Sequence, residues 1–171
     1  MLSLGKAHPM SLRLVEVPGG PAIVLTDTAL STMYRYRQLS ARAKEAGGQL
    51  FARFVGADTI VFEATAPSIL DKRSRQGFKP NRRLQQIEIW QRHKDGLHFI
   101  GDWHTHPEEL PHPSGTDITD MSDCYRLSSH NLRAFVMVII GTQLGCRGVY
   151  AALINHTGMT PLTIEETIVI E

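Results

Sequence analysis

Cysteine is scarce. Cys124 and Cys146 are the only two in 171 residues, and they form no CxxC pair. A chain of this length does not need a disulfide framework to hold a core, and the two cysteines read as buried or unremarkable thiols. Long apolar runs are missing too. The longest, such as AFVMVIIG, is far too short to span a bilayer. The first residues, MLSLGKAHPMSLRLVEV, lack the charged start, unbroken apolar core and small-residue cleavage site of a leader. A cytoplasmic, bacterial-type protein is the default expectation. Neither charge sign dominates, because 18 Lys and Arg face 17 Asp and Glu, for a net charge of +1. That balance argues against a nucleic-acid coat over the whole surface, while local basic patches stay open. With ordinary apolar and charged fractions, no repeat and no linker, residues 1–171 read as one domain.

The apolar patterning describes a mixed α/β chain. LRLVEV and AIVLT flank PGGP as a hairpin, and QLFARFV and TIVFEAT flank GAD as a second. DTALSTMYRYRQLSARAKEA, residues 27–46, predicts a long helix stopped by Gly47 and Gly48, with Glu45 at its negative end. Residues 66–83 are polar and basic with little periodicity and read as a loop or insertion. LQQIEIWQRH places Leu84, Ile87 and Trp90 at helical spacing. LHFIGDW is a strand, TDITDMSDCYRLSSHN a helix with Ser114 or Thr116 as N-cap, and AFVMVIIG a buried strand. GVYAALIN and LTIEETIVIE are further strands.

The chemistry concentrates in GDWHTHPEELPHPSGTD, Gly101 to Asp117. Alternate side chains of a strand share a face, so His104 and His106 project together. Pro107 ends the strand. The ten residues between His106 and Asp117 suffice to turn the chain and bring a carboxylate back. Two imidazoles and a carboxylate form a common catalytic zinc shell whose fourth position is open to water. Zinc can lower the pKa of such a water from about 15.7 to about 7. A hydrolase also needs a proton acceptor and an oxyanion donor. Glu45 can serve as the first and Ser114 as the second. Glu63, in IVFEAT, is a rival base.

HTHP…PSGTD, a His-x-His followed by ten residues and Asp, resembles the signature of the JAMM (MPN+/JAB) zinc metalloproteases, and EAGGQLFARF resembles their upstream glutamate element. The resemblance covers roughly residues 28–155. It implies a single MPN/JAB-like α/β domain, a curved mixed sheet flanked by helices with a cytidine-deaminase-like architecture. It implies one Zn2+ on His104, His106 and Asp117, Glu45 as general base through the bound water, and Ser114 as the oxyanion hydroxyl. Members cleave isopeptide or peptide bonds after the C-terminal glycine of ubiquitin-like proteins. IGDWHTHPE, preceded by a Trp-bearing helix and a basic stretch, is most similar to bacterial members in operons with E1-like and E2-like proteins, including CBASS-type anti-phage systems. The implied function is deconjugation of a ubiquitin-like or conjugated protein. Sulfur-carrier processing, a non-catalytic MPN-type scaffold and a RadC-like DNA-associated protein are the alternatives.

Asp102 shares parity with the histidines and reads either as an acceptor orienting one of them or as an exposed carboxylate. Trp103 faces the other way, toward a core. His112 reads as a loop residue, and His8, His93, His98, His130 and His156 have no partner at ligand spacing. Lys72, Arg73, Arg75, Lys79, Arg82 and Arg83 form a basic cluster. It reads as a grip on an extended substrate tail, with Arg73, Arg75 and Lys79 as contacts, or as a merely solvated loop. Nucleic acid is disfavoured, because Phe78 is the only aromatic residue among the charges.

Overall fold

The two expected hairpins form. β1 (Met10–Val15) and β2 (Ala22–Leu25) pair antiparallel across PGGP, as do β3 (Gly47–Val55) and β4 (Asp58–Ala64) across the following turn. The structure is a computed structural model that describes residues 10–168, so the reading of the first nine residues lies outside it. Between the hairpins runs α1 (Asp27–Arg35), whose first turn is capped by Thr26. After them come a small separate hairpin, β5 (Lys72–Ser74) and β6 (Gly77–Lys79), and α2 (Arg82–Lys94). β7 (His98–Thr105), α3 (Gly115–Leu127) and β8 (Phe135–Ile140) form a strand–helix–strand unit. β9 (Val149–Asn155), β10 (Gly158–Pro161) and β11 (Thr163–Ile168) close the chain.

One mixed sheet takes nine of the strands, in the order β10-β9-β8-β7-β3-β4-β2-β1-β11. β7 and β8 are parallel, as are β2 and β4, and the other neighbours are antiparallel. The sheet curves far enough for β11, at one edge, to touch β9 near the other. Every residue of β8 is buried, because both faces of the sheet are covered. Val136, Val138 and Ile140 pack with Leu30 and Met33 of α1, whereas Phe135, Met137 and Ile139 pack with Met121 and Tyr125 of α3. Alternation along β7 follows from the same pleat. Trp103 enters the α1 side, leaving Asp102 and His104 on the side of α2 and α3.

Three sequence expectations change. The first helix ends at Arg35 instead of continuing to Ala46, so Glu45 sits in an irregular segment and opposes no helix dipole. Gly47 and Gly48 are not a helix stop; they open β3. Their lack of a side chain is needed for packing. A Cβ on Gly47 would lie 2.6 Å from both the Trp103 carbonyl oxygen and the Phe78 ring. One on Gly48 would overlap the Thr65 carbonyl, which accepts the Trp103 indole N–H at 3.0 Å. We expect Gly48→Ala to force β3 away from Thr65 and cost about 2–3 kcal/mol, as overpacking of a filled core does. Urea unfolding measures it, and a midpoint equal to wild type would refute this packing argument.

The basic segment is the second change, because it contains the β5–β6 hairpin and is not wholly loop. In the third, the apolar spacing of α2 does not mark its buried face. Asn81 caps the helix and Gln85 is its buried residue, while Ile87 and Trp90 stand in solvent.

Candidate active site

Topology brings the separated motif residues together. α3 must run back along the sheet to reach the start of β8, so its N-terminus begins beside the carboxyl end of β7, the usual place for ligands in parallel units. His104 lies at that end of β7, His106 directly follows the strand with its N–H donating to the Ile140 carbonyl, and Asp117 lies in the first turn of α3. Ligand atoms of the three lie within 4.8 Å of one another. The imidazole Nε2 atoms of His104 and His106 are 3.1 Å apart, and each is 3.3 Å from an oxygen of Asp117. Two nitrogens bound tetrahedrally to one zinc at about 2.0–2.1 Å would be about 3.3 Å apart. The donor set fits that ion in type and spacing.

A capping box holds Asp117. The Ser114 N–H donates to Asp117 Oδ2 at 2.7 Å, and the Asp117 N–H donates to Ser114 Oγ at 3.1 Å. Of the two candidates, Ser114 is therefore the N-cap. Burial works against the Asp117 charge, but hydrogen bonds from His104 and His106 outweigh it and hold the carboxyl well below the ordinary range. The Ser114 hydroxyl accepts in this cap, and among the described residues its own proton serves no protein acceptor.

Glu45 arrives by strand register. β3 pairs antiparallel with β7, Gly47 opposite His104, and the ladder continues through the Thr105 N–H donating to the Ala46 carbonyl at 2.8 Å. The next residue along, Glu45, comes beside His106. It is 7 % exposed and lines the same cleft as the three candidate ligands and Ser114. Burial pushes its carboxyl up to about 7. The charges of Asp117 and Glu108 add to this, and His106 opposes it. Glu63 is elsewhere. Its carboxylate takes the Arg92 guanidinium at 2.6 Å, beyond the cleft lining.

The β5–β6 hairpin forms a wall of this cleft through Gln76, Gly77, Phe78 and Lys79. Of the three basic residues expected to meet substrate, Lys79 lines the cleft and Arg75 is exposed. Arg73 instead donates to the backbone carbonyls of Glu45, at 2.6 Å, and Lys44. Ser74 adds a carbonyl that accepts the Glu45 N–H at 2.8 Å. Gln38 and Thr105 support the same segment. Gln38 donates to the Ala43 and Arg75 carbonyls, and the Thr105 hydroxyl donates to Gln38 while accepting the Ala46 N–H. Sequence reasoning missed both, since Gln38 fell inside the overlong helix and nothing local marks Thr105.

Asp102 touches neither histidine. Its Oδ2 lies 3.8 Å from Arg82, its buried Oδ1 has no hydrogen-bond partner among the described residues, and burial pushes its carboxyl up to about 6. His112 is an exposed loop residue whose N–H donates to Glu108. Both cysteines are free thiols.

Comparison with known proteins places this arrangement. A protein from Pseudomonas aeruginosa named CD-NTase/cGAS isopeptidase is 33 % identical over 119 residues, 67 % of this chain and 73 % of that protein. One of the same name from Enterobacter hormaechei is 25 % identical over 99 % of this chain and 96 % of its own length. A solution structure of a Desulfitobacterium hafniense protein superposes with a TM-score of 0.57 at 25 % identity, covering 80 % of this chain and 87 % of that one. Residues 28–152, which carry every candidate site residue named above, match the model of the prokaryotic homologs of the JAB domain, and the chain belongs to that family.

Proposed function

We propose that this chain is a zinc-dependent isopeptidase that hydrolyses the bond after the C-terminal glycine of a ubiquitin-like or otherwise conjugated protein, as a deconjugating enzyme in a bacterial anti-phage system. The observation that carries the reading is the convergence of His104, His106 and Asp117 with buried Glu45 lining the same cleft. The names of the relatives support the reaction class and a conjugated protein as partner. E1-like and E2-like proteins that build the conjugate are the further partners, and the cytoplasm is the compartment.

His104, His106 and Asp117 would hold the zinc, whose Lewis acidity makes water a nucleophile near neutral pH and draws charge from a carbonyl oxygen. Ionised Glu45 accepts a proton from the attacking water as its oxygen bonds to the glycine carbonyl carbon. The Ser114 hydroxyl donates to the carbonyl oxygen as charge gathers there. Glu45 then passes its proton to the departing amine nitrogen while the C–N bond breaks, and the second water proton moves from the new carboxyl group to the amine, leaving a glycine carboxylate and an ammonium. Lys79 and Arg75, on the hairpin wall, meet the incoming tail.

The test is hydrolysis of a lysine isopeptide whose acyl partner ends in glycine. Cleavage after glycine that a chelator stops and zinc restores supports the enzyme. Zinc-loaded protein that binds the conjugate without cleaving it supports a scaffold instead.

The pH profile is a second check. Glu45 must be ionised to act, and burial raises its pKa, so activity is present above that pKa and lost as pH falls through it. A bound dication favours the charged carboxylate and lowers the value. We expect kcat/KM to fall about tenfold per pH unit below a limb lying between an ordinary carboxylate, about 4.3, and about 7. The limb should vanish in Glu45→Gln; its persistence there would assign it to another group.

A further inference from the structure

The cleft does not end at the hairpin. Phe78, Lys79, Pro80, Arg82 and Asp120 line it and also a neighbouring hollow of about 550 Å3 between α2 and α3. That hollow shares Gln86, Ile89, Phe99, Leu127 and Ser128 with a third, of about 1090 Å3, at the C-terminal ends of the same helices. The three adjoin one another through these shared side chains, in a row that leads away from the candidate ligands. Asp117 and Leu127 are ten residues apart on α3, about 15 Å along its axis. An extended chain covers that span in roughly five residues.

The two stretches of groove differ in chemistry. The nearer one sets Lys79 and Arg82 against Asp120 and Asp123 of α3. The far hollow has His93, His98, His130 and Arg133 in its lining but no carboxylate. Three large apolar side chains around it are left in solvent: Trp90 is 62 % exposed, Leu127 78 % and Phe54 53 %. Trp90 and Leu127 project from the two helices that wall the groove, and among the described residues nothing buries them. A cluster of exposed apolar side chains of this size marks a contact surface.

We infer that the far hollow anchors the acyl-side tail of the substrate, holding an apolar or aromatic residue roughly five to eight residues before the scissile carbonyl. The inference rests on the isopeptidase reading. In an isopeptide the acyl partner is a chain terminus, free to lie extended, whereas the amine partner is a lysine on a folded body. A long groove running from the candidate ligands suits the terminus. No carboxylate lines the far hollow, and Glu16 beside it is paired with Arg133 at 3.0 Å, so neutral residues beside the anchor are accepted there and basic ones find partners nearer the ligands, at Asp120 and Asp123.

The test uses ten-residue peptidyl-glycine aminocoumarin amides with leucine or serine placed at successive positions, and a two-residue amide for reference. Leucine five to eight residues upstream should raise kcat/KM about tenfold over serine, chiefly through KM, as burial of one aliphatic side chain allows. Leu127→Asp and Trp90→Ala should each lower the ratio of kcat/KM for long over short substrate by about tenfold. A ratio that neither variant moves, with no preference for leucine at any of these positions, overturns the anchor and leaves the isopeptidase reading standing. Binding is read independently of cleavage, by the change in Trp90 fluorescence on adding the same peptides ending in free glycine. Leucine-dependent binding that Leu127→Asp weakens about tenfold, in a protein that cleaves nothing, keeps the groove and removes the reaction. Equal binding of the leucine and serine peptides overturns the groove.

Discussion

Glu45→Gln should keep its zinc and lose cleavage, with kcat lowered by about 10²–10⁴-fold, the usual contribution of a positioned acid–base group. The substitution preserves shape and removes the capacity to accept a proton. It should also leave the backbone in place, because the position of residue 45 is set by main-chain bonds to Ser74 and Arg73 and not by its own carboxylate. The matched control is Glu63→Gln. It disturbs the ion pair with Arg92, neither member of which lines the cleft, so kcat/KM should stay within about twofold, as for a pair outside the reaction. Elemental analysis and single-turnover cleavage of a glycine-linked conjugate measure both variants. Full activity in zinc-loaded Glu45→Gln, with the loss appearing in Glu63→Gln instead, would exchange the two roles.

The metal itself should disappear when a ligand does. His104→Ala leaves two of the three converging donors, and Asp117→Asn removes the only charge among them. Each variant should retain less than about a tenth of the wild-type zinc after dialysis against a weak chelator, and its cleavage should fall to background. Asp117→Asn is the sharper of the two, since an asparagine carbonyl can still accept the Ser114 N–H and preserve the cap of α3. Asp117→Ala loses the charge and the bond from the Ser114 N–H together, while the Ser114 hydroxyl still accepts the N–H of residue 117. Unchanged circular dichroism in Asp117→Asn separates ligand loss from unfolding. Undiminished zinc in either His104→Ala or Asp117→Asn would falsify the ligand set.

Much of this site was legible because its decisive relations are short in sequence. Strand parity alone put His104 and His106 on one face, and the prolines announced a turn before a capped helix. The cap of that helix was narrowed to Ser114 or Thr116. Those are properties of local backbone geometry, which neighbouring residues determine wherever the segment lies. The hairpins at PGGP and GAD and the doubly buried strand AFVMVIIG follow from the same kind of local pattern.

Long-range packing decided the rest. Residues 37–46 are built from good helix formers, and Gly47 and Gly48 look like a helix stop. The helix nevertheless ends at Arg35, and the two glycines instead open β3, where the Trp103 carbonyl, the Phe78 ring and Thr65 leave no room for a side chain. None of those groups is near Gly47 in sequence. The same is true of Glu45, whose place beside His106 comes from antiparallel register with a strand some sixty residues later and from a hairpin hidden in a stretch without periodicity. In α2, the apolar spacing that ordinarily marks a core face marks solvent, because Gln85 faces the buried network and Trp90 does not. Sequence by itself determined the parity of the histidines and the strand and helix types of the segments that carry the candidate ligands. Tertiary structure alone decided which glutamate faces them and which face of α2 opens onto the groove, since both depend on contacts between segments that no local propensity encodes.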